Sequence, residues 1–318
     1  MHSETLTDIR QVQKNGRGQY ILKYILQHKY VYLLALFPVL FYLIFCYFPM
    51  YGIIIAFKEF MYNKGILGSP WVGLDNFERL FKLPYFYKLL RNTLFISFGR
   101  ILFEFPVPIL IALLLNELRA NKLKRFFQTV YTFPNFISWV AVSGIIFTFF
   151  SSTGVTNTVL QNMGKESFDI LNNQHRFLVL IFTSDIWKTA GWGSIIYLAA
   201  MSSINNELYE AAVIDGAGRL KQFLHVTWPG ILPTVTIMLI LSMGNVMNAG
   251  FDQIFNLYNP LVTDVSDILD TYIYRISLQE GSSFSFGAAI GLFKSVINFF
   301  LLITVDRIAK AIGQRGLY

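Results

Sequence analysis

Charge is scarce in this chain. Only 14% of its 318 residues are Asp, Glu, Lys or Arg, where a soluble domain carries about 25%, so too few charges remain to cover a water-facing surface. Apolar residues make up 54% and aromatic residues 17%, and the mean hydropathy is +0.48. That balance belongs to a membrane protein. Cysteine is limited to Cys46, inside an apolar run, which excludes an intrachain disulfide and reads as a buried thiol. The four histidines, His2, His28, His175 and His225, are scattered and none sits mid-span. Without H-E-x-x-H or paired Cys ligands, no metal site and no His-based catalytic centre is expected. A G-x-x-x-x-G-K-[ST] loop is also missing, so the chain does not bind ATP in the P-loop manner. The net charge of +7 raises nucleic acid as a partner, but the basic residues cluster beside apolar spans, where they act as topology determinants and not as a phosphate-binding face.

What is present is long apolar runs. Residues 1–29 form a polar, basic tail (Arg10, Lys14, Arg17, Lys23, Lys29), and residues 31–57 are almost uncharged. About 20 helical residues cross the hydrocarbon core. A cleaved signal peptide has an apolar region of about 7–15 residues; this run is longer and no small-x-small site follows it, so it is expected to be an uncleaved first span, kinked at Pro38 and Pro49. Further runs at residues 93–115, 126–150, 177–201, 231–249 and 286–305 predict six spans and an all-α fold. With the N-terminus inside, fourteen basic residues fall on the inner side and nine on the outer. Four of them, Arg119, Lys122, Lys124 and Arg125, lie close together between spans 2 and 3. The positive-inside rule then predicts a cytoplasmic N-terminus.

The outer loop at 58–92 holds six basic residues and strains that rule. From Phe77 it alternates apolar with basic residues, the composition of an amphipathic segment at the membrane interface with Trp71, Tyr85 and Tyr87 at headgroup depth. Contact with substrate is the alternative.

The chain is organised around Glu210-Ala211-Ala212-Val213-Ile214-Asp215-Gly216-Ala217-Gly218, followed by Val226-Thr227-Trp228-Pro229. A short helix over 208–215 is expected to stop at Gly216, the residue that most easily turns left-handed, and a second helical piece over 220–226 to run to Pro229. Alone, this is a helix-turn-helix connector. Its spacing resembles the signature loop of binding-protein-dependent ABC transporter permeases: Glu-Ala-Ala, three residues, Gly, nine residues, Ile-x-Leu-Pro, with Val226 and Trp228 as apolar departures. Pro49-Met50-Tyr51-Gly52 and the following loop extend the resemblance over most of the chain to the LplB and YteP kind, which imports complex oligosaccharides in Gram-positive bacteria. The resemblance implies a six-span permease domain of the MetI-like, MalF-type fold over 30–318, following the cytoplasmic tail at 1–29, with a coupling loop at about 202–230. It also implies that Glu210, Ala211, Ala212, Asp215 and Gly216 contact an ATPase dimer, which would hold the ATP and magnesium. The other implied partners are a second homologous permease subunit, a solute-binding lipoprotein, an oligosaccharide and the membrane lipid of a bacterial plasma membrane.

Ionisable groups inside spans are costly and therefore functional candidates. Arg100 and Glu104 are spaced to form a structural ion pair. Asp185 and Lys188 are spaced to pair as well, yet with Trp187 and Trp192 they also suit a sugar, which needs hydrogen-bond partners and aromatic faces. Ser242, Asn245 and Asn248 recur every three residues, giving one polar helix face, either for packing against neighbouring spans or for lining a pathway. Counted outward from Glu210, Asp185, Trp187, Trp192 and Ser242 fall where maltose-type permeases place lining residues; Asn245 and Asn248 fall one position off. Lys294 and Asn298 in the last span face either the same cavity or Asp306 and headgroups. A membrane-embedded glycosyltransferase or lipid-modifying enzyme would need acidic pairs, and Asp264, Asp267 and Asp270 have the spacing of one helix face instead. A secondary transporter would more often show repeated halves, and none is evident.

Overall fold

A computed structural model describes residues 21, 24–118, 120–281, 283–313 and 316. His2, Arg10, Lys14, Arg17, Lys23, Arg119 and Arg315 lie outside the described residues. Among those described, extended pairing is confined to one isolated bridge between Lys58 and Trp71, and the architecture is helical. The helices that matter are α1 (Lys29–Phe57), α2 (Asp75–Lys82), α3 (Phe86–Asn116), α4 (Asn121–Thr132), α5 (Trp139–Phe150), α6 (Val155–Asn162), α7 (Gln174–Ser202), α8 (Asn206–Ile214), α9 (Arg219–Met243), α10 (Phe251–Leu257), α11 (Leu269–Tyr274) and α12 (Phe284–Ala311).

Five helical runs are long and apolar enough to cross a membrane: α1, α3, α5 continued through α6, α9 and α12. Helix α7 has 29 residues, about 43 Å at 1.5 Å per residue, which exceeds the hydrocarbon thickness of about 30 Å. It carries Arg176, Asp185 and Lys188, which dilute its apolar character. The six expected spans are compatible with this set.

Prolines accompany three of the helix irregularities. A proline cannot donate to the carbonyl four residues back, and its ring crowds that carbonyl. The π-helical turns Tyr42–Tyr47, Arg100–Glu104 and Phe223–Thr227 each end two residues before a proline, namely Pro49, Pro106 and Pro229. The wider turn lets the helix continue. The kink expected at Pro49 is therefore a π turn followed by a 3-10 segment, Tyr51–Phe57, while Pro38 stays inside an α-helical stretch. Likewise the piece at 220–226 does not stop at Pro229 but runs on to Met243.

Two expected spans are interrupted. The third breaks at the turn Phe133–Phe136 around buried Pro134, and Ser138 starts α5 by accepting a hydrogen bond from Ala141 N, the side-chain cap that frees a helix from its predecessor. The fifth ends at Met243; Asn298 Oδ1 accepts from Met247 N at 2.9 Å, and Gly250 adopts φ +83° before α10. Asn245 and Asn248 thus lie on a turn, not on a helical face.

The core has three parts. Ile96, Ile146, Phe177 and Ile254 pack where α3, α5, α7 and α10 meet. Leu80, Phe86, Leu269 and Phe286 join α2, α3, α11 and α12. Ala112, Tyr197, Met201 and Ile231 join α3, α7 and α9. Helix α7 also approaches the end of α4 closely: a Cβ on Gly191 would lie 1.9 Å from Tyr131 O. Gly191→Ala must separate the two backbones. Overpacking of this kind costs about 1–3 kcal/mol, so Gly191→Ala should lower thermal stability in detergent, whereas Gly144→Ala, where a Cβ meets nothing within 4 Å, should not. Equal melting of both variants would contradict that packing.

The loop at 58–92 is a folded clasp. Trp71 stacks on Phe57 at 5.7 Å, Asn76 Nδ2 donates to Ala56 O and Lys58 O, and Phe60 N donates to Ser285 Oγ at 2.8 Å. These contacts tie the C-terminal end of α1 to the N-terminal end of α12. Asp264, Asp267 and Asp270 do not share a helix face, because the chain breaks between Thr263–Ser266 and α11. Each has its own partners: Lys88 for Asp264, Lys294 for Asp270, and Tyr85, Thr271 and Arg275 for Asp267. Burial and the Asp267 carboxylate push the Tyr85 phenol up to about 12, which keeps it a hydrogen-bond donor at neutral pH.

Candidate functional site

Two features combine: an uncovered helix at one end of α7 and α9, and a polar cavity between α3 and the end of α9. Helix α8 begins at Asn205, whose side chain accepts from Glu207 N at 3.1 Å. It ends in two paired closures, Gly216 N to Val213 O at 3.0 Å and Ala217 N to Ala212 O at 2.8 Å. This is the Schellman arrangement, which places the residue after the cap in the left-handed region, and Gly216 there has φ +74°.

No residue of α8 is buried. Leu208, Val213 and Ile214 are exposed, Ile214 at 86%, and the side chains of Glu210 and Asp215 have no hydrogen-bond or ion-pair partner among the described residues. The inner face is held: Tyr209 OH meets Thr227 Oγ1 at 2.9 Å, Thr227 is buried, and Arg219 pairs with Glu117 at the end of α3. A small helix is thereby fixed to α9 while its apolar and acidic outer face is free.

The cavity has a volume of about 250 Å³ and is lined by Ser97, Arg100, Glu104, Ser242, Asn245 and Asn248, with Ile101, Phe105 and Val246. Arg100 Nη1 lies 2.8 Å from Asp185 and 3.3 Å from Glu104, and its Nη2 bonds Gln253 Oε1. Gln253 in turn donates to Ile181 O and Ser184 Oγ. Asp185 therefore pairs with Arg100 and not with Lys188. Gly250 lets the guanidinium in, since a Cβ there would lie 2.4 Å from it. Ser97 Oγ, Arg100 Nε and Glu104 Oε1 are buried without a hydrogen-bond partner among the described residues. Each such group costs about 1–3 kcal/mol when left unpaired.

The structure brings Ser242, Asn245 and Asn248 to one cavity, with Asp185 one bond behind it. It does not bring Trp187 and Trp192 there. Both are about half exposed; Trp187 stands about 200° around α7 from Asp185, and Trp192 meets Phe136 edge to face at 5.7 Å. Sequence reasoning assigned Arg100 and Glu104 to an ion pair alone and missed their place in the cavity wall. The signal was available in two charges and a following Pro106 inside an apolar span. Lys294 pairs with Asp270, and Asn298 caps the break after α9. Cys46 is exposed from this chain, not buried. Among the described residues no group of three His, Cys, Asp or Glu is placed to hold a metal ion.

The family model for the binding-protein-dependent transport system inner membrane component matches residues 104–314, from the cavity glutamate through α12. The chain belongs to that family. This permease is 41% identical over 304 residues to Protein LplB of Bacillus subtilis (strain 168), covering 95% of each chain. It is 41% identical over 307 residues to the polygalacturonan/rhamnogalacturonan transport system permease protein YteP of the same organism, covering 96% of this chain and 95% of the other. The crystal structure of a bacterial ABC transporter involved in the import of the acidic polysaccharide alginate superposes with a TM-score of 0.83 at 36% identity, over 92% of the permease and 99% of that chain. A second crystal structure, of the alginate transporter in complex with alginate pentasaccharide-bound periplasmic protein, matches with the same TM-score and identity over 93% and 99%. The fold is thus the permease fold, and the family is one of transport subunits.

Proposed function

We propose that this chain is the transmembrane permease subunit of an ATP-driven importer for oligosaccharides. One observation carries the reading: α8, free on its outer face, joins α7 and α9, the helices that bear Asp185 and Ser242 of the polar cavity. A displacement of α8 is transmitted to both. Glu210 and Asp215 would anchor α8 in a cleft of an ATPase subunit, Ala211 and Ala212 would permit close approach, and Gly216 would turn the chain back. Closure of the ATPase dimer on ATP and magnesium would move α8 as a rigid body and rock the spans between inward-facing and outward-facing states. The cavity, with its unpaired hydroxyl, guanidinium and carboxylate atoms, would meet the sugar hydroxyls.

The relatives named for polygalacturonan, rhamnogalacturonan and alginate support an oligosaccharide as cargo, and the alginate complex supports delivery by a solute-binding protein. A second permease subunit is supported by α1: from Lys29 to Met50 none of its residues is buried, and such a helix needs lipid or another subunit on every side. The N-terminus would be cytoplasmic, with 1–29 as tail, 30–318 as the permease domain and 202–230 as the coupling loop.

Single cysteines in a Cys46→Ala background test the orientation. Asn121→Cys and Gly218→Cys should be shielded from a membrane-impermeant thiol reagent in intact cells, and Asn162→Cys should be labelled. All three positions are exposed in the chain, so labelling reports sidedness. Labelling at Gly218 from outside would overturn the orientation.

A further inference from the structure

A second cavity lies at the break in the third span, and it holds Lys188, the one mid-span cation without a counter-ion among the described residues. Three basic residues sit inside the long spans. Arg100 pairs with Asp185 and Glu104, and Lys294 with Asp270. Lys188, midway along α7 and 8% exposed, makes no ion pair among the described residues. Its ammonium donates to Asn135 O at 2.9 Å and lies 5.6 Å from the Trp139 ring centroid. An ammonium has three donors, so two remain. An intramembrane charge without a partner is costly and marks a ligand or ion path, and irregular backbone at that depth belongs where it lines a cavity.

The surroundings fit that reading. Lys188 shares a cavity of about 430 Å³ with Asn135, Phe136, Trp139, Asp252 and Asn256. The neighbouring carboxylates do not satisfy it: Asp185 is taken by Arg100, and Asp252, exposed at the start of α10, forms no ion pair with it. Aromatic faces and amides are what a saccharide ring binds. The buried charge of the cavity is positive, and the group that suits a buried ammonium is a carboxylate, through a charge-assisted hydrogen bond. We propose that Lys188 is the counter-charge for a carboxylate of the transported saccharide, so that this cavity selects acidic, uronate-containing oligosaccharides. The proposal rests on the oligosaccharide-import reading and adds to it a site separate from the Arg100 cavity.

Calorimetric titration of the complete transporter in nanodiscs tests it, with trigalacturonate and its fully methyl-esterified form as probes. The two differ in charge but not in rings. The acid should bind at least about ten-fold more tightly than the ester, since a charge-assisted bond is roughly twice as strong as a neutral one. Lys188→Gln should erase that gap and Lys188→Arg should retain it. Because the wild-type comparison needs no variant, misfolding of Lys188→Gln does not blunt the test. Equal binding of acid and ester to the wild type, an undiminished gap in Lys188→Gln, or binding of neither probe would overturn the proposal. ATP-dependent uptake of any oligosaccharide by the same preparation is read separately, so that loss of charge selection is distinguished from loss of the import reading.

Discussion

Gly216→Val should abolish ATP-driven uptake while the subunit still inserts into the membrane. The reason is backbone geometry alone. Gly216 has φ +74°, and a Cβ there would meet nothing within 4 Å, so crowding by neighbours plays no part. A β-branched side chain in the left-handed region costs at least about 1–2 kcal/mol. Relief of that strain unwinds the two closures that end α8, at Val213 O and Ala212 O, and a helix with a frayed end no longer transmits a push. A graded series follows: Gly216→Asn should be mildest, because Asn tolerates this conformation, Gly216→Ala intermediate, and Gly216→Val worst, with uptake down at least about ten-fold for a coupling loss of 1.4 kcal/mol or more. Glu210→Ala should reduce co-purification of the ATPase by removing a charged anchor. Equal uptake across the glycine series would show that the turn carries no force.

The second large effect is at Arg100. It holds two carboxylates, Asp185 and Glu104, at 2.8 and 3.3 Å, with side chains that are 16% exposed for Arg100 and 12% for each acid. Removal of one member of a buried charge group leaves the others uncompensated, a loss of about 3–5 kcal/mol. Arg100→Met should therefore lower the amount of folded subunit in membranes. Pairing it with Asp185→Asn should restore assembly in part, because one of the two orphaned carboxylates is gone and only Glu104 remains, and the excess over additivity in that cycle measures the coupling. Uptake should stay low in the double variant, since the cavity wall is lost in both. Additive stability losses would mean that Arg100 and Asp185 do not act together.

Periodicity and turn chemistry made most of this fold legible. Helix α8 and the left-handed Gly216 were readable because a glycine after an amphipathic stretch has one common geometry. The long apolar runs were readable by length. What was not readable depended on partners distant in sequence. Asp185 lies three residues from Lys188 but bonds Arg100, because packing of α7 against α3 outweighs the local spacing. Ser242, Asn245 and Asn248 keep a three-residue period across Met243, so periodicity could not reveal that the helix ends there and that Asn298 caps the break. Pro134 and Pro229 look alike in sequence. One ends its helix and the other rides on a π turn, a choice made by whether the following residues offer a new cap, as Ser138 does. Trp187 and Trp192 were chosen for composition, and the rotation of α7 turns them away from the Arg100 cavity.

The most direct test of the account is ATP-dependent accumulation of oligosaccharide in proteoliposomes that hold this chain with its ATPase, second permease subunit and solute-binding protein. The account predicts accumulation that needs ATP, persists without any ion gradient, and is lost in Gly216→Val with the complex still assembled. Accumulation driven by an ion gradient without ATP, or undiminished in Gly216→Val, would contradict it.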